Sequence, residues 1–340
     1  MMDRKEFAVY VQQHIKEFYD KKEYPQGTEA IILEIDKGSG RTVTGLVLKK
    51  PDEDNAPCIH LEDYYMEYRN GKRIENILEE IAEVDRWIRG KTRVPQSLKE
   101  ELSFEAAYSG IYLQVCDTEK SRAFLAERPH TEVGDLSAVY QIRYAADGQG
   151  AFGMDIKNEL FESWGITLEE LHRTALSNMQ EDFPTRMYSA EEMLFHLGLG
   201  LREPVDLLGG AGQAAPFDAP FYVLTNEGKF YGAACLFDEE ALYRASIRLG
   251  GNFFLLPSSR HDMLAVPEGQ AGSYEELAAM VCEINRTKVA PEDFLSDKVQ
   301  YYDRERKQIL GEKGYLEYRE SQRLREEEKK LEKKHREPKL

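Results

Sequence analysis

The densest gathering of chemically able side chains is Ser258-Ser259-Arg260-His261-Asp262, with Asn252 a short way upstream. A serine hydroxyl, an imidazole and a carboxylate are the nucleophile, base and orienting acid of a hydrolase. Ser258, Ser259, His261 and Asp262 are therefore the candidate catalytic residues. Asn226, Asn252 and Arg260 are the candidate binding groups, and Glu227 stands beside Asn226 as a residue able to complete a site. Catalysis needs the three groups to converge, yet immediate neighbours in an extended chain point to opposite faces. The spacing thus favours a serine-rich turn between two strands, with Pro257 at the corner and Ser258 or Asp262 bonding nearby backbone. A catalytic reading needs residues from elsewhere.

Two further motifs match only in part. His60-Leu61-Glu62, with Cys58 two residues before it, has the H-x-E spacing of zinc deaminases but lacks their P-C-x-x-C partner. A strand carrying Cys58 and His60 on one side is the expectation, and no metal site is assigned. Gly210-Ala211-Gly212-Gln213-Ala214-Ala215 spells the dinucleotide fingerprint, but Pro216 and Pro220 interrupt the helix that should follow, and no strand precedes it. It reads as a loop, so no cofactor is assigned. His14 and His172 fall within apolar helical stripes and read as core or boundary residues.

The elements that would position these groups follow from periodicity. Phe7, Val11, Ile15 and Phe18 recur at helical spacing. Residues 30–35 and 42–48 are rich in β-formers around Asp36-Lys37-Gly38-Ser39-Gly40, which predicts a hairpin, and 58–61 a third strand. Residues 62–69 read as a helix ending at Asn70-Gly71, and 74–90 as a longer one. Beyond Pro95, strands are expected at 111–115, 137–144 and 150–154. Ser97/Glu100, Thr167/Glu170, Ser189/Glu192 and Ser273/Glu276 have capping-box spacing. Residues 221–224 and 229–233 flank Asn226-Glu227-Gly228 as a second hairpin, with two more strands at 253–256 and 263–266. Strands and helices mix without βαβ alternation, so the fold class is α+β with largely antiparallel sheets. The expected organisation is an N-terminal unit over 1–95, a C-terminal domain over 96–302 and a charged helical tail over 303–340.

The chain has 340 residues and a net charge of −17. Residues 303–340 hold 13 Lys/Arg against 10 Asp/Glu, a net of +3, which leaves −20 on residues 1–302. Phosphate contact needs clustered Lys/Arg, so the body is not expected to bind nucleic acid. Tyr64, Tyr65, Tyr68, Tyr301 and Tyr302 read as packed rings with exposed hydroxyls. Only Leu324 and Leu331 are apolar between Arg319 and Pro338, which reads as a solvated helix; docking on an acidic partner is its alternative role. The four cysteines are widely separated, which suggests neither a disulfide framework nor a zinc site. No apolar run approaches the ~18 residues of a membrane span, and Met1 to Tyr10 carries charges where a signal peptide is apolar. The expectation is a cytoplasmic protein.

Several stretches carry a resemblance: Gly45 to Leu48, Ile59 to Tyr65, Trp164-Gly165-Ile166-Thr167, Tyr222 to Asn226, Leu256 to Asp262 and Val289 to Asp297. In order over roughly residues 3 to 305, they resemble the recurrent blocks of a domain-of-unknown-function family of gut Firmicutes such as Lachnospiraceae. The second half is also distantly similar to another uncharacterised Firmicutes family. The resemblance implies a bacterial intracellular protein associated with mobile elements, and no activity. The leading expectation is a non-catalytic binding or regulatory protein with a protein partner. The alternative is a hydrolase-like enzyme using the Ser258 to Asp262 block.

Overall fold

The computed structural model describes residues 1–51, 53, 56–91, 102–147, 150–199, 203–209, 219–228 and 230–336, with no side-chain description for 91, 144–152, 195, 197–199, 258 and 331–336. The Gly210 to Ala215 loop and the Ser97/Glu100 pair lie outside these residues. As expected, the fold is α+β with mostly antiparallel sheets. The chain divides into two compact units that interleave along the sequence: residues 1–111, 120–129 and 141–167 form the first, and 112–119, 130–140 and 168–340 the second.

The first unit opens with α1 (Arg4–His14), capped by a reciprocal Asp3/Glu6 box. Strands β1 (Glu29–Asp36), β2 (Thr42–Lys49) and β3 (Cys58–His60) form an antiparallel sheet in the order β1-β2-β3. The hairpin turn between β1 and β2 uses Gly38, Ser39 and Gly40, all at positive φ. Helix α2 (Glu62–Arg69) stops where Gly71 takes φ +95°, and α3 (Ile74–Lys91) follows. Phe7, Val11 and Ile15 meet Ile77, Leu78 and Ile81 over Leu46, Leu48 and Ile59, which form a single buried cluster. The apolar stripes legible in the sequence are thus the faces that leave water, each side chain contributing about 1.5–3 kcal/mol. Beneath this core Arg89 bonds Asp85 with Nε, Glu53 with Nη1 and the Leu48 carbonyl with Nη2.

The chain continues through α4 (Phe104–Ala107), β4 (Ile111–Asp117), α5 (Arg122–Ala126), β5 (His130–Val133), β6 (Leu136–Asp147), β7 (Gly150–Asp155) and α6 (Asn158–Trp164). In the first unit, β7 pairs with the later part of β6, and Arg128 lies over Phe124 while bonding Asp155 at 3.0 Å. In the second, β5 pairs with the start of β6, from His130 opposite Val139 to Val133 opposite Leu136.

The rest of the second unit comprises α7 (Leu168–Asp182), β8 (Thr185–Ser189), α8 (Ala190–Leu199), β9 (Tyr222–Asn226), a 3-10 turn (Gly232–Phe237), α9 (Glu239–Arg248), β10 (Phe253–Ser259), β11 (Asp262–Pro267), α10 (Tyr274–Lys288), β12 (Gln300–Asp303), β13 (Gln308–Leu310) and α11 (Glu312–Arg336). Its six-stranded sheet runs β13-β12-β10-β11-β9-β8. Phe253 to Leu256 are all buried because both faces of this sheet are covered, so the strand reads as a continuous apolar run. One face packs Phe254, Leu256 and Tyr301 against Leu277 and Val281 of α10 and Tyr315 of α11. The Ser273/Glu276 box caps α10 as expected.

Three expectations need correction. The second hairpin is not formed: after β9 the chain turns through Tyr231 at φ +49° into a 3-10 turn, so residues 232–237 coil instead of pairing. Tyr301 and Tyr302 are buried whole, and the Tyr301 hydroxyl bonds Asn252 and Glu268 inside the unit. The charged helix begins as a core element, since Tyr315 stacks on Tyr274 and packs against Tyr301. No helix among the described residues is long and apolar enough to cross a membrane.

Candidate functional site

Strands β10 and β11 are in register from Phe253/Pro267 to Leu256/Leu264, and the register then shifts before Ser259 meets Asp262. The bulge places Arg260 and His261 at the turn, where both side chains reach the same acceptor. The Arg260 Nε donates to Asp293 Oδ1 at 3.1 Å, and His261 Nε2 lies 3.1 Å from the same oxygen. Arg260 Nε is also 3.2 Å from His261 Nε2. His261 Nε2 thus stands between a donor, the Arg260 Nε–H, and an acceptor, Asp293 Oδ1. The Arg260 amide closes the same link by donating to the Asp293 carbonyl at 2.9 Å. Hydrogen bonding from His261, aided by the Arg260 charge and opposed by burial, holds the Asp293 carboxyl below the usual carboxylate range.

The remaining groups of the block are held locally. Ser259 Oγ accepts the His261 amide at 3.0 Å, a turn-capping bond, and the residue is buried. The Thr225 hydroxyl donates to the His261 carbonyl at 2.7 Å, and the Ala233 amide donates to the Arg260 carbonyl at 3.2 Å. Tyr231 lies parallel to the imidazole with centroids 6.1 Å apart, and the Arg260 guanidinium sits over its ring at 5.4 Å. His261 Nδ1, the other ring nitrogen, is buried and has no hydrogen-bond partner among the described residues. Asp262 stands opposite Ser259 in the ladder; the carboxylate on the imidazole is Asp293. Ser258 lies in β10, and its side chain is outside the described residues.

The candidate binding residues Asn226 and Asn252 are engaged by their own surroundings. Asn226 Nδ2 donates to the Phe230 carbonyl at 2.6 Å, and its Oδ1 accepts the Phe230 amide at 2.9 Å, so the side chain closes that turn at both ends. Glu227 pairs with Arg186. Asn252 donates to Tyr301 and Glu268, while its Oδ1 accepts the Arg304 amide. A small cleft beneath the turn, bordered by Phe183, Thr185, Asn226, Gly232, Cys235 and Asp238, has room for about one water and does not reach Ser259 or His261. Burial pushes the Cys235 thiol well up, so it is no nucleophile at neutral pH.

In the H-x-E motif, His60 is exposed at the end of β3. Glu62 Oε1 accepts the Thr44 amide at 2.7 Å and pairs with Arg4, while burial raises the Cys58 thiol. Among the described residues no group of three His, Cys, Asp or Glu side chains is placed to hold a metal.

Two of the resembling blocks, Leu256 to Asp262 and Val289 to Asp297, therefore meet through Arg260, His261 and Asp293. A family model described as a family of unknown function, DUF5688, matches residues 4–304. The chain belongs to that family. The DUF5688 match takes in both blocks and ends within the sheet, before β13 and α11. No curated protein and no solved structure matches the chain.

Proposed function

We propose that this DUF5688 protein is a non-catalytic binding or regulatory protein of the cytoplasm, with a protein partner. The bacterial host implied by the resemblance belongs to the same reading. The observation that carries it is the state of His261: one nitrogen faces Asp293, and the other is buried with no hydrogen-bond partner among the described residues, which do not include the Ser258 side chain. A serine hydrolase needs that second nitrogen to take the serine proton. Arg260, His261 and Asp293 instead act as a clasp that ties the β10–β11 turn to the segment before β12. The outer surface of this clasp, where Arg260, His261 and Asp293 are 25–32% exposed, is with Tyr231 the part able to meet a partner.

A second reading, the hydrolase, is favoured by the Asp293–His261 pair alone, which is the orienter and base half of a triad. One experiment separates the two. The full chain is treated with a fluorophosphonate probe beside Ser258→Ala and Ser259→Ala variants. Absence of labelling is expected; labelling abolished by either substitution overturns the binding reading. Introducing a photo-crosslinker at position 260 then reads the partner surface directly. A discrete adduct weakened by Tyr231→Ala is the expected outcome.

A further inference from the structure

Among the described residues, strand β1 is an edge strand of the first unit's three-stranded sheet. Which of its backbone groups face outward follows from β2. The Thr44 carbonyl accepts the Leu61 amide at 2.9 Å and its own amide donates to Glu62, so Thr44 turns toward β3. Alternation then turns Val43, Gly45, Val47 and Lys49 toward β1, where their partners are Ile35, Leu33, Ile31 and Glu29. Ala30, Ile32, Glu34 and Asp36 are left facing away from the sheet. Gln12 of α1 covers the Ala30 carbonyl with a 2.8 Å bond, and Asp36 Oδ1 caps the following turn through the Gly38 amide. Among the described residues nothing bonds the outward N–H and C=O of Ile32 or Glu34. These are two complete hydrogen-bonding positions at the centre of an eight-residue strand.

The side chains around this gap define what fits it. Ala30 and Ile32 pack toward the α1 core. Ile31, Leu33 and Ile35 lie on the other face, with Leu33 43% exposed. The strand carries Glu29, Glu34 and Asp36 and no basic residue. Glu34 stands opposite uncharged Thr44 and so lacks an opposite charge across the ladder. A second copy is a poor match: pairing Ile32 with Glu34 of the other copy brings the two Glu34 side chains diagonal to each other and joins two bodies of net −17. A basic, β-forming segment meets all three features at once.

We infer that the β1 edge receives an extended peptide by strand addition, antiparallel to β1, with lysine or arginine opposite Glu34 and apolar residues opposite Leu33 and Ile32. This surface belongs to the first unit and the Arg260–His261–Asp293 clasp to the second, and the inference does not depend on how that clasp is read.

The test uses the full chain and a capped, fluorescein-labelled heptapeptide, Lys-Val-Lys-Val-Val-Val-Thr, with a Glu-for-Lys analogue as control. In amide hydrogen exchange, the Ile32 and Glu34 amides are expected to slow at least tenfold on adding the lysine peptide, while the Ile31 and Leu33 amides, already bonded to β2, change little. Fluorescence anisotropy is expected to show the glutamate analogue binding at least tenfold more weakly, and Glu34→Lys to reverse that preference. Ile32→Pro, which removes one outward N–H, should abolish the effect; if it fails to fold, Glu34→Lys still decides. Equal binding of the two peptides, binding without slowing of those two amides, or sedimentation showing that the edge is filled by a second copy would each overturn the inference. Ser259→Ala should leave peptide binding unchanged, so failure here is distinguishable from failure of the proposed function.

Discussion

Gly232 marks the residue on which the clasp depends for space. A Cβ built there meets the His261 carbonyl at 2.2 Å, the Thr225 hydroxyl at 2.5 Å and the Asn226 amide nitrogen at 3.1 Å. Two of those atoms are backbone, and the third is the donor that holds the His261 carbonyl. Gly232→Ala is therefore expected to destabilise by about 2–3 kcal/mol, as overpacking of a rigid site does. Gly90→Ala, whose Cβ meets nothing within 4 Å, should be neutral or slightly stabilising. Urea denaturation of both variants checks the pair, and equal midpoints would show that the 3-10 turn yields freely. The site was half legible in the sequence at this scale. Residues 258 to 262 stood out by type, and a side chain bonding the turn backbone was expected at Ser258 or Asp262, whereas Ser259 Oγ is seen to accept the His261 amide. Asp293 did not stand out, because its role arises only when a segment 32 residues downstream folds back on His261. The signal available was the second resembling block, Val289 to Asp297, which contains it.

Elements whose pattern is local were readable, and those set by a side-chain bridge were not. The β1–β2 hairpin, the α2 stop and the capping box of α10 all depend on residues within one turn of the chain. The strand pair predicted around Asn226 fails for a different reason: Asn226 bonds Phe230 at both ends, and the chain leaves that turn through a left-handed Tyr231, which directs it into a coil. Helix α11 is a similar case. Its charged composition reads as a solvated rod, yet its first turns carry Tyr315, 6% exposed, into the core against Phe254 and Tyr301. Tyr315→Ala should cost about 3 kcal/mol through the cavity left among three aromatic rings. Ending the chain after Gln322 removes only exposed described residues and should change stability by less than about 0.5 kcal/mol. Chemical denaturation of the two variants reads the contrast, and a large loss from the truncation alone would mean that the outer turns of the helix carry stability.

For the molecule as a whole, the interleaved units cannot be read from periodicity, because the return of residues 130–140 to the second unit is a matter of non-local pairing, such as His130 with Val139. That return also buries a titrating group. The Tyr140 hydroxyl lies 2.9 Å from His172 Nδ1 and 2.6 Å from the Thr131 hydroxyl, and Phe237 meets the imidazole edge-on at 5.3 Å. Burial lowers the His172 pKa below its ordinary 6.5, so the folded chain holds this imidazole neutral. Below pH 6.5 the unfolded chain then binds the proton more readily than the folded one. Stability is therefore complete above that pH and falls as the pH drops from 6.5 toward the lowered folded value. The Asp293 carboxyl, held low by His261 and Arg260, adds a second loss of the same sign only at more acid pH, below the 3.8 of a free aspartate. In His172→Phe the loss near pH 6 should vanish, while stability at pH 8 drops by about 1 kcal/mol for the missing bond to Tyr140. The measurement is the urea midpoint of both proteins from pH 8 to 5. Parallel profiles would assign the acid sensitivity to some other group, whereas profiles that converge as the pH falls tie it to the packing of one buried histidine.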